Sequence, residues 1–246
     1  QRGDTYFTPD GTVFIRGRGR IPQESEGKKA WLYLQTAAEM IVRINGHYAG
    51  GIDPNRDRIL LDPWLEAGKE DFTLEIEGYN RSKPDDERNP DTTNLRGCRQ
   101  IFQGAYVAQV DEELLSLYYD LTLLLDIGCC EDFDGTYRAL VIRELNHALD
   151  LMDFETLTGA ERAARYIEEH IYRNQDFRGS GSVALVGHSH LDVAYYWRRI
   201  HAVQKNARTV LIQMRLMDRY FFFYYANTEI YTYELLEKHY PALFEE

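Results

Sequence analysis

The hydrophobic pattern of this chain changes period near Asp111, and that change constrains the fold more than any other feature of the sequence. Before it, apolar residues come in short β-rich runs: Thr12-Val13-Phe14-Ile15-Arg16, Trp31-Leu32-Tyr33-Leu34, Ile41-Val42-Arg43-Ile44, Ile59-Leu60-Leu61 and Phe72-Thr73-Leu74-Glu75-Ile76. The last alternates apolar with polar, as a half-buried antiparallel strand does. Between Ile44 and His47-Tyr48-Ala49-Gly50 stands Asn45-Gly46, a pair that accepts the positive φ angles of a tight hairpin turn. Together these runs predict an N-terminal β-sandwich.

Past Asp111, Leu114, Leu117, Tyr118, Leu121 and Leu125 recur at helical spacing, and Val141, Leu145, Leu149 and Met152 repeat it. A third helix is expected to open at Thr158, where Glu161 completes a capping-box pattern and Ala164, Ile167 and Ile171 form an apolar stripe. Arg178-Gly179-Ser180-Gly181-Ser182 then punctuates the chain, and Val183-Ala184-Leu185-Val186 reads as a strand buried on both faces. Ala194 to about Tyr220 reads as a helix, Phe222 to Thr228 as the next strand, and Glu234 to His239 as the start of another helix. Strand, helix, strand is a unit of a parallel sheet or barrel. The expected organisation is multidomain α and β: a β-sandwich over 1–110, a helical linker over 111–179, and the first part of a catalytic α/β barrel over 180–246. The stretch 81–99, rich in Pro, Asp, Asn, Arg and Gly, reads as a long surface loop.

A formal charge of -12 repels polyanions and leaves no basic patch for phosphates, so nucleic acid is not an expected partner. No apolar run approaches the roughly 18 residues a membrane span needs, and the first residues lack the charged-then-apolar layout of a signal peptide. The three cysteines, Cys98, Cys129 and Cys130, form no metal-ligand spacing and a poor disulfide framework. A reducing cytoplasm is the expected compartment.

The chemistry concentrates in Gly187-His188-Ser189-His190-Leu191-Asp192, where potential metal ligands emerge as a predicted strand gives way to a helix. In α/β barrels that end of a strand forms the active-site face. Side chains at i and i+2 of an extended segment point the same way, which lets His190 and Asp192 reach one ion, and imidazole and carboxylate are both good zinc ligands. Two other readings fit the same residues. In one, His188 and His190 bond backbone carbonyls and Asp192 caps the following helix. In the other, His188 and His190 are the His-x-His ligands of a metal-dependent amidohydrolase.

The run from Gly187 through Val193-Ala194-Tyr195-Tyr196-Trp197 resembles the first-strand signature of glycoside hydrolase family 38 α-mannosidases, a His-x-Asp pair followed by small and aromatic residues. Asn206-Ala207-Arg208-Thr209, Leu216-Met217-Asp218-Arg219-Tyr220, Tyr233-Glu234 and Tyr240-Pro241-Ala242-Leu243-Phe244-Glu245-Glu246 are similar to the segments that follow it. Upstream, Ile44-Asn45-Gly46 and Gly51-Ile52-Asp53-Pro54-Asn55-Arg56-Asp57 look more loosely like the sandwich that precedes the barrel in the cytosolic branch. The resemblance implies a galactose-binding-like sandwich, a helical linker and the beginning of a (β/α)7-type barrel. It implies a zinc-dependent retaining glycosidase that removes terminal α-mannosides from oligosaccharides. His190 and Asp192 take the positions of two zinc ligands, Tyr195 that of a ring stacking on the sugar, and His188 that of a hydrogen-bonding support behind the ligands. Thr228-Glu229 stands where the family usually has Ser-Gln or Thr-Gln.

A retaining glycosidase needs a nucleophilic carboxylate and an acid/base carboxyl about 5 to 5.5 Å away. After Asp192 the carboxylates are Asp218, Glu229, Glu234, Glu237, Glu245 and Glu246, and most fall on predicted helices. In the family, the nucleophile, the general acid and the remaining ligands come from later parts of the barrel. The expectation is therefore a piece of a longer enzyme, inactive by itself, with zinc as cofactor, an α-mannoside oligosaccharide as partner, and a homo-oligomer left open. The third class of reading is a non-catalytic carbohydrate-binding β-sandwich protein.

Overall fold

The computed structural model describes residues 11–21, 29–35, 39–53, 56–66, 71–79, 104–174, 184, 186–193, 198–220, 224–227 and 229–246. The expected loop at 81–99 and the aromatic run Tyr195-Tyr196-Trp197 lie outside them. Among the described residues, seven strands precede the α-helices: β1 (Thr12–Arg20), β2 (Ala30–Gln35), β3 (Glu39–Ile44), β4 (His47–Ile52), β5 (Arg58–Leu60), β6 (Asp71–Tyr79) and β7 (Gly104–Gln109). They form two antiparallel sheets, one ordered β1-β6-β3-β4 and the other β5-β2-β7. Alternate residues of both sheets meet in one core: Ala30, Leu32 and Leu34 from β2, Met40, Val42 and Ile44 from β3, and Phe72 and Ile76 from β6. The apolar runs of the sequence mark β1 to β6, whereas β7 has no such run and becomes a strand by pairing with β2.

Asn45 and Gly46 do form the β3–β4 turn, with φ of 50° and 85°. These are the left-handed angles that Gly and Asn reach at least cost. Asn45 also ties the turn down. Its Oδ1 accepts from the Thr73 N–H at 2.9 Å, and its Nδ2 donates to the Trp64 carbonyl at 2.9 Å.

Compactness divides the chain into a helical unit, Val110–Val183, and a second unit that joins Gln1–Gln109 with Ala184–Glu246. The helical unit contains α1 (Glu112–Cys129), α2 (Gly135–Leu149) and α3 (Ala160–Ile167), the last continuing as a wider turn through Glu168–Tyr172. Asp111 and Asp134 cap α1 and α2 by accepting from backbone N–H groups of their first turns. Leu117, Leu124, Val141, Leu145, Ala148, Ala163 and Ile167 form the core. Tyr118 and Leu125, expected in that stripe, are exposed, and Leu124 takes the inward position instead. The capping box at Thr158 does not form. Gly159 occupies the N-cap of α3 at φ 97°, Thr158 shares a hydroxyl hydrogen bond with Thr156, and Glu161 pairs with Arg165 one turn on. A left-handed cap packed against the Leu151 carbonyl leaves no room for a Cβ, so glycine displaces the threonine from that role.

In the other unit, β8 (Gly187–Ser189) and β9 (Tyr225–Asn227) pair in parallel, with α4 (Arg199–Arg219) between them in sequence. α5 (Ile230–His239) and α6 (Pro241–Glu245) follow. The first strand begins later than expected: it contains the Gly-His-Ser sequence itself, and Val186 before it is 69% exposed rather than buried. The helix after β9 begins at Ile230, one turn before the expected Glu234.

α4 covers the outer face of the four-stranded sheet. Ile41, whose neighbours Met40 and Val42 point into the sandwich, packs outward against Val203, Ala207, Val210 and Leu211 of α4, with Leu235, Leu236, Tyr240 and Leu243 completing the cluster. This explains the uninterrupted Met40-Ile41-Val42 run, since a strand covered on both faces has no polar side. Gly51 of β4 is needed because α4 lies so close. A Cβ there would stand 2.7 Å from side-chain carbons of Arg208 and Ile212. His201 of α4 is 1% exposed and stacks on the Tyr79 ring at 5.4 Å.

Charge is buried in the same interface. The Glu39 carboxylate receives Lys205 at 2.5 Å, Arg208 at 2.7 Å and the Tyr79 hydroxyl. Arg208 also lies 3.5 Å from Asp53, which pairs with Arg56. Burial pushes the Glu39 carboxyl up, but Arg208, Lys205 and the Tyr79 hydroxyl together outweigh it and hold the group below its ordinary 4.5. Burial, with Glu39 beside it, drives the Tyr79 phenol well above 10.0, so it remains a donor. Beside this cluster, Gln204 donates to Glu77 at 2.8 Å and Thr12 at 3.0 Å, and the Tyr240 hydroxyl donates to Glu77 at 2.9 Å.

Two outcomes follow from these contacts. Replacing Asn45 with Ala removes both turn hydrogen bonds and a residue suited to positive φ, and should cost about 1 to 3 kcal/mol in urea unfolding. For Glu39, a depressed folded value means its contribution is complete above about pH 4.5 and is lost as pH falls through the folded value. Glu39→Gln should therefore be less stable than the parent by on the order of 3 kcal/mol at pH 7. That gap should narrow below the ordinary value of 4.5. Parallel stability curves from pH 7 to pH 3 would contradict the assignment.

Candidate metal and sugar site

Parallel pairing determines where the site lies. Gly187 stands opposite Tyr225, His188 opposite Ala226 and Ser189 opposite Asn227, so both strands end on the same edge of the pair. The Gly187 N–H donates to the Tyr224 carbonyl at 3.0 Å, and the Ser189 and Tyr225 hydroxyls are bonded. Just beyond the two strand ends come His190 and Asp192 on one segment and Glu229 on the other. In open and closed parallel sheets alike, this C-terminal edge is where irregular backbone can present polar groups without breaking the core.

The structure brings His190 and Asp192 together. The His190 Nε2 lies 3.2 Å from the Asp192 Oδ1, and both side chains are open to solvent, 62% and 50% exposed. Two ligands of one tetrahedral zinc ion, each bonded at about 2.0 to 2.1 Å, stand about 3.3 Å apart. Here the pair is directly hydrogen-bonded, and its spacing is also that of two ligands sharing an ion. The other ring nitrogen, Nδ1, lies 3.3 Å from the Glu229 Oε1. The imidazole thus stands between two carboxylates. Because Glu229 faces the far side of the ring, the three do not make a cage, and among the described residues no group of three or more His, Cys, Asp or Glu is arranged around one point.

α4 begins at Arg199 with Arg198 in the cap position, and the residues directly after Val193 that Asp192 would cap lie outside the described ones. His188 is exposed on β8, and the contact to the second nitrogen of His190 comes from Glu229. Tyr195 lies outside the described residues.

Glu229 is carried by a hydrogen-bonded support. The Thr232 N–H and hydroxyl both donate to the Glu229 carbonyl, closing the first turn of α5. The Thr232 carbonyl accepts from Asn206 Nδ2 at 2.7 Å, and Asn206 is buried on α4. Asn227 Nδ2 reaches the Asn206 Oδ1 at 3.5 Å, and the Asn227 N–H reaches the Tyr233 hydroxyl at 3.3 Å. One buried amide thus links α4, the end of β9 and the start of α5. The sequence does contain its signal: an Asn within the apolar stripe Ala202, Val203, Ala207 and Val210, where a polar residue needs buried partners.

Residues 180–246 match the model of a family described as "Glycosyl hydrolases family 38 N-terminal domain". Over 264 aligned residues, 99% of this chain is 25% identical to "Alpha-mannosidase 2C1" of Homo sapiens, covering 24% of that protein. The Mus musculus protein of the same name is 24% identical over 261 residues, again with 99% of this chain and 24% of the relative covered. "Alpha-mannosidase G" of Dictyostelium discoideum is 22% identical over 135 residues, covering 55% of this chain and 12% of the relative. The chain thus spans about a quarter of the length of the first two relatives. Among the described residues, no helix is long and apolar enough to cross a membrane.

Proposed function

We propose that this chain, whose residues 180–246 match the model of the family 38 glycosyl hydrolase N-terminal domain, is part of an α-mannosidase that removes terminal α-mannosides from oligosaccharides. The observation that carries the reading is the 3.2 Å approach of His190 Nε2 to Asp192 Oδ1 at a parallel strand exit inside the matched segment. The donor pair suits zinc, which when bound would supply a Lewis-acidic anchor for sugar hydroxyls. His190 and Asp192 hold that group, and their exposure leaves the remaining face open to a ligand. Tyr195 is assigned to the sugar's apolar face, and His188 to hydrogen-bond support near the ligands.

The chemistry is retaining hydrolysis by two carboxyl groups about 5 to 5.5 Å apart. In this reading Asp192 is committed to the metal, and Glu229 faces the Nδ1 of His190. The nucleophile and general acid are therefore assigned to further chain of the same enzyme, in keeping with relatives about four times as long. In this reading β8, α4, β9 and α5 are the first units of a (β/α)7-type barrel, and the two sheets are a galactose-binding-like sandwich that α4 adheres to. A cytoplasmic enzyme accords with the sparse cysteines, of which Cys129 and Cys130 are free.

The test is metal content together with hydrolysis of an aryl α-mannoside, measured on the natural full-length polypeptide. His190→Ala and Asp192→Ala should each lose bound zinc and at least 100-fold in turnover. His188→Ala should keep the metal. Loss of metal in His188→Ala with retention in Asp192→Ala would instead favour the His-x-His arrangement of an amidohydrolase.

A further inference from the structure

We infer that Glu229 is the positioning residue for His190: it accepts the Nδ1 proton of the imidazole and so presents Nε2, with its lone pair free, on the side where Asp192 stands. This inference rests on the metal-site reading above and concerns a residue that reading leaves without a role. The geometry that supports it is the position of the ring between two carboxylates. Nε2 faces Asp192 Oδ1 at 3.2 Å and Nδ1 faces Glu229 Oε1 at 3.3 Å, so the two carboxylates address opposite nitrogens. A neutral imidazole has one N–H and one lone pair, and which nitrogen binds metal is decided by what the other one donates to. The direct Nε2···Asp192 hydrogen bond must give way when an ion takes Nε2; the ring's one proton then belongs on Nδ1, where Glu229 stands to accept it. Glu229 is also the most sheltered of the three, 33% exposed against 62% and 50%, so its contact to the ring is the one least diluted by water.

A positioning residue must itself be held. The Glu229 carbonyl receives two donations from Thr232, whose own carbonyl receives Asn206 from the buried face of α4. Asn206 in turn meets Asn227 at the end of β9. Glu229 is therefore attached to the same helix that anchors β3 and β4, and the carboxylate approaches His190 from a rigid base instead of a free loop end.

The experiment measures zinc affinity by chelator competition on the natural full-length polypeptide, for the parent, His190→Ala, Asp192→Ala, Glu229→Ala and Glu229→Gln, with thermal melting as the check of folding. We expect Glu229→Ala to fold normally and to bind zinc about 10- to 100-fold more weakly. Glu229→Gln should retain most of the affinity, because its amide oxygen can still accept the Nδ1 proton. In the zinc-loaded, 15N-histidine-labelled parent, the His190 Nδ1–H proton should be visible and shifted downfield, and it should move upfield in Glu229→Ala. A merely structural role would not move that resonance. If His190→Ala and Asp192→Ala lose zinc while Glu229→Ala binds like the parent, the inference is overturned and the metal site stands. If Glu229→Gln loses zinc as completely as His190→Ala, Glu229 is a ligand and the positioning role is wrong. If the parent binds no zinc, or the His190 and Asp192 variants bind like it, the metal-site reading fails first and takes the inference with it.

Discussion

α4 lies along the outer face of the four-stranded sheet on a seam that is partly apolar and partly ionic, and the position of the βα segment depends on it. The apolar part is Ile41 against Val203, Ala207 and Leu211, with Gly51 allowing the close approach. The ionic part is Glu39 held by Lys205 and Arg208. Paired buried charges recover little more than they lose in leaving water, so their main effect here is on register. A slide of α4 by one turn would break at least one of the two Glu39 pairs and drive other side chains into the space beside Gly51. The helix therefore has one acceptable position on the sheet.

That position is transmitted to the site by short links. Asn206 projects from the buried face of α4 to the Thr232 carbonyl, and Thr232 closes the turn that carries Glu229. From the other direction, the β8–β9 register brings His190 and Asp192 level with that turn. A sandwich and a βα segment could be separate bodies joined by chain, but here the sheet's outer face is part of the helix's packing surface. The helical unit Val110–Val183, inserted between them in sequence, has its own core of Leu117, Leu124, Val141, Leu145 and Ile167.

How much of this was legible beforehand varied with how local the determining physics is. Asn45-Gly46 was readable as a turn because the required φ angles are a property of those two residues. The inner face of β6 was readable from the alternation of Phe72, Leu74 and Ile76. The outward burial of Ile41 was not, since an apolar residue between Met40 and Val42 reads only as strand until the helix that covers it is known. On α1 the inward position is Leu124, not Tyr118 or Leu125, because leucines and tyrosines fill most of 114–125, offer several helical registers, and leave the partner helices to choose among them. The capping box at Thr158 and Glu161 was overridden by a glycine next to it. In the site, the His190 and Asp192 pair followed from i, i+2 geometry, whereas the approach of Glu229 depends on parallel register between strands separated by a whole helix. Asn206 passed unread because an amide on an apolar stripe has meaning only once its acceptors are in place.

The central claim is that an imidazole and a carboxylate at one strand exit hold a divalent ion through the ring nitrogen that faces that carboxylate. Anomalous diffraction at the zinc edge, on crystals of the natural full-length polypeptide, examines it directly. The account predicts a single peak within bonding distance of both His190 Nε2 and Asp192, about 2.0 to 2.2 Å from each, with Glu229 still on Nδ1. A peak bound through Nδ1, or one remote from both side chains, would contradict it.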